Sequence, residues 1–319
     1  MRKNGSKIRF LLITALAAFI MHGCFGGIRE DSVYEALPPI DPEAGIEREV
    51  SADLYFRLTD EPYLVKVTRN ISVRANESRE NAILRALLNG PPPLSNGVSG
   101  VLTESARVIS VQLDGGILYV TMSREFIETD KNAGSREEID ELLRLRVFAL
   151  VNSLTASGSA DRIQILIDLD NSGTGLRVQR GMLGLHTEDT ASSQLLEPLK
   201  FNSGIVVDSG KIADLALSHI RDGEYERAYN LFAQSESGGF QRPSYAAFET
   251  ELKSLGALRD YKIISFRPPD SQELSASVNL DFVYTDGSAK TVKQAVLNLY
   301  REGDLIKVGY NSLLKLVQR

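Results

Sequence analysis

The chain has 319 residues, of which 43% are hydrophobic and 24% charged, so it can fold into about two domains that each bury a core. Its formal net charge is −6, from 36 basic and 42 acidic residues. Nucleic-acid binding needs clustered Lys and Arg, and no basic run follows residue 10. The composition therefore argues against a nucleic-acid partner.

The N-terminus has the pattern of an export signal. Arg2, Lys3, Lys7 and Arg9 precede an apolar run at residues 10–21. This run is shorter than the about 20 residues that a membrane-spanning helix needs, and it suits a signal peptide. We therefore assign residues 1–23 to a signal peptide, whose removal takes four basic and no acidic residues and leaves a more acidic mature chain.

Cys24 is the only cysteine in the chain, and it follows the apolar run directly. The sequence at residues 21–24, MHGC, resembles the lipobox of bacterial lipoproteins. The resemblance implies that the Cys24 thiol carries a lipid and that the protein is anchored on the extracytoplasmic face of the cell membrane. Met21 and His22 depart from the usual leucine and small residue, and an ordinary secretory signal with an incidental cysteine is the alternative. Residues 24–50 lack periodicity and are rich in Gly, Pro and acidic residues, which predicts a flexible tether.

Residues 51–175 predict a compact α+β domain. Short strands are expected at 53–58 and 63–68, followed by a helix at 78–89 that carries an apolar stripe and ends at Gly90. Pro91, Pro92 and Pro93 then stop the helix; they form either a rigid connector or a polyproline surface that a partner recognises.

The rest of this domain contains a hairpin, a helix and a strand. Residues 108–113 and 117–122 alternate around an Asp-Gly-Gly turn, which predicts a β-hairpin. Ser135 and Glu138 form the pattern of a capping box at the start of a second helix, and residues 162–168 predict a final strand. The order β-β-α-β-β-α-β indicates two helices against a small mixed sheet.

Several short segments of this domain, in their order, resemble the GerM (GerMN) domain of bacterial sporulation and envelope lipoproteins. They are DLYF at 53–56, YLV at 63–65, LLNGP at 87–91, DGGILYV at 114–120, SREF at 123–126 and VNSLT at 151–155. The resemblance covers roughly residues 50–175. It implies a non-catalytic role in the envelope, through contacts with envelope or sporulation proteins, with peptidoglycan or with further copies of the chain.

Residues 176–207 lose periodicity and predict a linker with one or two short strands. Residues 208–319 then predict three helices, at about 209–219, 225–234 and 243–255, followed only by strands at 261–266, 275–284, 291–300 and 305–310. Helices followed by a meander of long strands resemble the NTF2-like (cystatin-like) fold, in which a curved sheet wraps around helices.

The sequence offers few residues for catalysis. His186 and His219 are the histidines that remain after signal removal, and no Gly-x-Ser-x-Gly motif is present. His219 shares a helix face with Ile212 and Leu215, so it is either a buried structural histidine or a pocket residue of the NTF2-like domain. Residues 168–173 resemble the start of a calcium loop, but Gln179 at the twelfth position cannot supply the usual carboxylate. We therefore predict no metal, no cofactor and no enzymatic activity.

These observations favour a lipid-anchored protein with a role in envelope, peptidoglycan-associated, sporulation or germination assembly. The alternative is a small-ligand-binding or catalytic pocket in the C-terminal domain, near His219. A third interpretation, a structural spacer without a specific ligand, also stays open.

Overall fold

A computed structural model describes residues 47–92, 97–129, 134–186, 192–267 and 274–318. Cys24, Pro93, the predicted signal peptide and almost all of the predicted tether lie outside these residues. Residues 46–319 form one compact unit, and the buried apolar side chains of its N-terminal and C-terminal parts belong to one continuous core.

The N-terminal part begins with a three-stranded antiparallel sheet. Its elements are β1 (Arg48–Leu58), β2 (Leu64–Val73), helix α1 (Arg79–Leu88) and the short β3 (Val98–Ser99), with strand order β2-β1-β3. Ser78 begins α1 by accepting a hydrogen bond from the Asn81 amide at 3.2 Å, and Gly90 follows its end with φ +77°. The predicted strands and helix are confirmed, whereas β3 is too short to give a periodic pattern.

A second sheet follows, built from β4 (Val108–Asp114), β5 (Ile117–Ser123) and β6 (Arg162–Asp168), with helix α2 (Arg136–Ala156) between the last two. Gly115 and Gly116 both have positive φ, 53° and 76°, as the tight turn between β4 and β5 requires. β4 pairs with β5 antiparallel and β6 pairs with β5 parallel, so this sheet is mixed, as predicted. The six strands nevertheless form two sheets instead of one.

Two side chains of the VNSLT segment connect α2 to its surroundings. The Ser153 hydroxyl accepts a hydrogen bond from the Tyr55 amide at 2.9 Å, which fixes α2 against β1. The Asn152 side chain donates to the Asn202 carbonyl at 3.0 Å and accepts from the Asn202 amide at 2.9 Å. The adjacent residues Asn152 and Ser153 thus connect α2 to two different parts of the chain, Asn202 and Tyr55.

The segment at 176–207, predicted to be a linker, lies along the N-terminal part. It makes isolated β-bridges to Ile163 and Ile167 of β6, and it buries Leu183 and Leu196 completely. At its end the Val207 amide donates to the Leu64 carbonyl at 2.8 Å. The described portion of this segment therefore covers the outer edge of β6 and joins the two parts of the core.

The C-terminal part consists of three helices, a four-stranded antiparallel sheet and a last helix. Its elements are α3 (Ser209–Asp222), α4 (Tyr225–Asn230), α5 (Tyr245–Leu255), β7 (Gly256–Phe266), β8 (Leu274–Tyr284), β9 (Ala289–Glu302), β10 (Leu305–Val308) and α6 (Tyr310–Val317). Register shifts interrupt the β7–β8 and β8–β9 pairings, and such bulges bend strands. The α+β class and the order of helices before a curved sheet are confirmed.

The expectation that only strands follow α5 is wrong. Helix α6 succeeds β10, and it buries Tyr310, Leu313, Leu314 and Val317, which recur at helical spacing. The Tyr310 hydroxyl donates to Glu251 of α5 at 2.8 Å, and burial, together with this carboxylate, raises the Tyr310 pKa above its ordinary value. The sequence prediction assigned Tyr310 to the preceding strand and overlooked this pattern.

Candidate functional site

A cluster of four charged side chains lies where the two parts meet; we call Glu61, His219, Glu224 and Arg227 the junction cluster. Glu61 belongs to the turn between β1 and β2, in which Asp60 adopts the left-handed conformation with φ +62°. The Glu61 amide donates to the Leu58 carbonyl at 3.0 Å, which closes this turn. The turn thereby points Glu61 of the N-terminal part at helices α3 and α4 of the C-terminal part.

The other three members surround the end of α3. Gly223, with φ +77°, ends this helix, and the Glu224 amide donates to the His219 carbonyl at 2.7 Å. Glu224 and Arg227 are three residues apart at the start of α4, so their side chains lie on the same face. The segment GEYER at 223–227 thus brings a carboxylate and a guanidinium beside His219.

Both ring nitrogens of His219 contact a carboxylate. Its Nε2 lies 2.8 Å from Glu61 Oε1, and its Nδ1 lies 2.7 Å from Glu224 Oε2. Arg227 donates from Nη2 to Glu61 Oε2 at 3.0 Å and from Nη1 to Glu224 Oε2 at 2.9 Å. The Glu61 and His219 side chains are 2% and 7% exposed, whereas those of Glu224 and Arg227 are 45% and 37% exposed.

This arrangement suits a structural role for His219 better than a catalytic one. Each ring nitrogen of His219 faces a carboxylate oxygen, one from the N-terminal part and one from the start of α4. Because both ring nitrogens are occupied, neither is left to accept a proton from a nucleophile or a substrate.

A polar cleft of about 620 Å³ adjoins the junction cluster. It lies between the β1–β2 turn, the start of β3, α4 with the residues after it, and the β9–β10 turn. Glu61, Arg227 and the buried Lys307 of β10 are among the residues that line it. His219 is not among the described residues that line it, but it contacts Glu61, which does.

The remaining predicted positions are not assembled into this site. Pro91 and Pro92 are half-buried and lie between α1 and β3. His186 is partly exposed, and its Nε2 lies 3.6 Å from Asp140. The Asp168 carboxylate accepts hydrogen bonds from the amides of Ser172 and Gly173, both at 3.0 Å, so it closes the turn after β6.

Two further properties concern the described residues as a whole. They include no group of three or more His, Cys, Asp or Glu side chains arranged to hold a metal ion. Within the same ranges, every helix is too short or too polar to span a membrane.

Comparison with known families gives a match to the N-terminal part. Residues 53–168 match the model of the family described as Germane, sporulation and spore germination. The match begins within β1, and its last residue is the final residue of β6. Residues 53–168 are thus similar to a sporulation and germination family, while the part after residue 168 lies outside the match.

Solved structures give weaker similarities. The tandem GerMN domains of the sporulation protein GerM from Bacillus subtilis align with 54% of this chain at 16% identity and a TM-score of 0.31. A proposed lipoprotein from Clostridium perfringens aligns with 40% of this chain and 78% of its own length, at 20% identity and a TM-score of 0.24. The chain spans about half (51%) of the Bacillus structure. A search of curated proteins finds no match.

Proposed function

We propose that this protein is a lipid-anchored, extracytoplasmic assembly factor that acts without catalysis in sporulation or spore germination. The match of residues 53–168 to a sporulation and germination family carries this proposal. The MHGC sequence at residues 21–24 supports the anchor, which would hold the folded unit at the membrane through the segment before β1. Envelope proteins and peptidoglycan are the expected partners.

The free edge of β4 is the surface that we propose for contact with a protein partner. The other described sheet edges are covered, charged or very short. Residues 176 and 199 cover β6, and Phe232 covers β10. The edge strand β2 carries Lys66 and Arg69, β7 carries Arg259, Asp260 and Lys262, and β3 has only two residues. β4 carries no charge between Arg107 and Asp114. Uncharged, uncovered edges invite pairing with another strand, and proteins usually block them.

The hydrogen-bonding groups of β4 strengthen this choice. The two-residue turn makes Asp114 and Ile117 a hydrogen-bonded pair, and bonded pairs alternate along an antiparallel ladder. Val111 and Leu113 therefore direct their amides and carbonyls away from β5. The Leu113 side chain is 56% exposed, so an added strand would gain both backbone hydrogen bonds and an apolar contact.

The experiment uses three full-length variants and a deletion strain of the source organism. Cys24→Ala should move the protein from the membrane to the soluble fraction. Leu113→Lys should abolish photo-crosslinking of envelope proteins to β4 and should lower the yield of heat-resistant or germinating spores. Val296→Lys is the matched control, because Val296 is an equally exposed apolar strand residue at 57%. Normal spores and germination in a deletion strain, or identical behaviour of the two lysine variants, would refute the proposal.

We also propose an NTF2-like fold for residues 208–319, on the basis of helices that precede a curved antiparallel sheet. The alternative function, a ligand pocket, is favoured by one observation, the cleft that contains Lys307. This cleft lies at the junction of the two parts and not inside the curved sheet near His219.

A further inference from the structure

The junction cleft has the size of a small-molecule site. Its volume of about 620 Å³ lies within the roughly 300–1,000 Å³ typical of such sites. Its walls come from both parts of the chain, including Thr59 and Gly97 on one side and Asn230 and Leu305 on the other. A ligand bound there would contact both parts at once.

Lys307 is the unusual residue of this cleft. It is only 6% exposed, and its ammonium donates a hydrogen bond to the Asn230 carbonyl. No carboxylate of the described residues lies within the 4.0 Å of an ion pair with it. Buried charges are normally paired, so a buried ammonium with donors to spare calls for an acceptor in the cleft. Burial lowers the Lys307 pKa to about 8, which leaves the ammonium form predominant at neutral pH.

Arg242 supplies a second, firmly held cation. Its Nη1 donates to the carbonyls of Tyr229 and Phe232 at 2.6 and 2.7 Å, and its guanidinium carbon lies 3.8 Å from the centre of the Tyr229 ring. Arg242 and Lys307 both line the cleft, as does the carboxylate of Glu302. Two fixed cations are suited to one carboxylate or phosphate group.

The same cleft is also lined by acidic side chains. Asp60 and Asp304 are exposed at its rim, and Glu302 lies beside them in the β9–β10 turn. These carboxylates would repel a ligand with several negative charges, such as a phosphate dianion. They can accept hydrogen bonds from hydroxyl, amide or ammonium groups of a ligand.

We propose that this cleft binds a small molecule with a single carboxylate, held by Lys307 and Arg242, and with an ammonium group or hydroxyls that contact the rim carboxylates. A dipeptide-sized zwitterion is the simplest molecule of this class. The ligand would occupy the seam between the two parts and would favour the conformation in which they are joined.

The test is a titration of the full-length protein, with ¹³C-methyl leucine, by NMR. Leu305 lines the cleft and reports binding, whereas Leu113 on β4 serves as the distant reference. Glycylglycine should shift the Leu305 methyl signals saturably, while glycinamide, which lacks the carboxylate, should not. Lys307→Met should weaken glycylglycine binding at least tenfold, because a charged hydrogen bond is lost. Lys293→Met, at an exposed lysine of β9, should leave binding unchanged.

A second variant keeps the proposal testable if Lys307→Met does not fold, which the methyl spectrum would show. Asp304→Asn lies at an exposed position, and it should weaken binding of glycylglycine but not of N-acetylglycine, which has no ammonium group. The proposal is overturned if neither carboxylate probe shifts Leu305 saturably, if glycinamide binds equally well, or if the Lys307 and Lys293 variants bind alike. Tighter binding of inorganic phosphate than of glycylglycine would overturn the assignment to a carboxylate.

Discussion

Replacing Glu61 by glutamine should weaken the connection between the two parts of the chain. The change preserves the shape of the side chain and removes its charge. Glu61 contacts His219 at 2.8 Å and Arg227 at 3.0 and 3.3 Å, so three charged contacts lose their acceptor charge. His219 and Arg227 would then share the single carboxylate of Glu224.

The magnitude follows from burial. Removing one partner of a buried ion pair costs about 3–5 kcal/mol of stability, because the remaining charge stays buried. Arg227 is 37% exposed and keeps its contact with Glu224, so water and this carboxylate compensate part of the loss. We therefore expect Glu61→Gln to lower the free energy of unfolding by about 2–3 kcal/mol. Glu224→Gln, at a side chain that is 45% exposed, should cost about 0–1 kcal/mol.

Urea unfolding of the full-length protein at pH 7, followed by circular dichroism, measures both values. The comparison is sharp because Glu61 and Glu224 contact the two nitrogens of the same imidazole, and burial is the main difference between them. Equal losses for the two variants, or a loss below about 0.5 kcal/mol for Glu61→Gln, would refute the assignment of the junction cluster as a buried connection.

Three further predictions concern stability. Lys307→Met should stabilise the protein by up to about 3 kcal/mol at pH 7. Because the pKa of Lys307 is lowered in the folded state, the unfolded chain binds more protons than the folded protein between about pH 8 and 10.5. The stability of the wild type should therefore rise with pH through this window, until urea unfolding gives the same free energy for the wild type and the variant. Gly184→Ala should lower the free energy of unfolding by about 3 kcal/mol, because φ is +64° and a Cβ would lie 2.0 Å from the Asp140 carbonyl oxygen. Gly238→Ala, also at positive φ but with no atom within 4 Å of the added Cβ, should lower it by only about 1 kcal/mol. Equal losses of stability in thermal unfolding would contradict this reasoning. Ser135→Ala should cost about 1 kcal/mol by the same measurement, and no loss would mean that the capping box does not stabilise α2.

Local signals predicted much of the N-terminal fold. The capping box at Ser135 and Glu138 begins α2 as expected, with the Glu138 side chain accepting a hydrogen bond from the Ser135 amide at 2.6 Å. The turn at Gly115 and Gly116 likewise forms the expected hairpin. These features depend on residues a few positions apart, so a single sequence contains the information that specifies them.

Features that depend on distant residues were not predictable in this way. Glu61 and His219 are 158 positions apart, and nothing in the sequence around Glu61 distinguishes it from other acidic residues of turns. The two-residue strand β3 forms because β1 offers it a partner, at Leu58 and Val98, and not because of its own pattern. Helix α6 was overlooked for another reason: its apolar spacing is visible, but Tyr310 continues the pattern of β10.

The separation of Glu61 from His219 and Arg227 along the sequence also affects the order in which the parts of the protein can fold during synthesis. A ribosome makes β1 and β2 long before α3 and α4, and it adds Arg227 a further 166 positions after Glu61. During synthesis the Glu61 carboxylate must therefore remain hydrated, even if the strands around it have already paired. The junction cluster therefore forms late, when the C-terminal part packs against the N-terminal part. Before that, the N-terminal part exposes a surface with the Glu61 carboxylate that is buried in the complete folded protein.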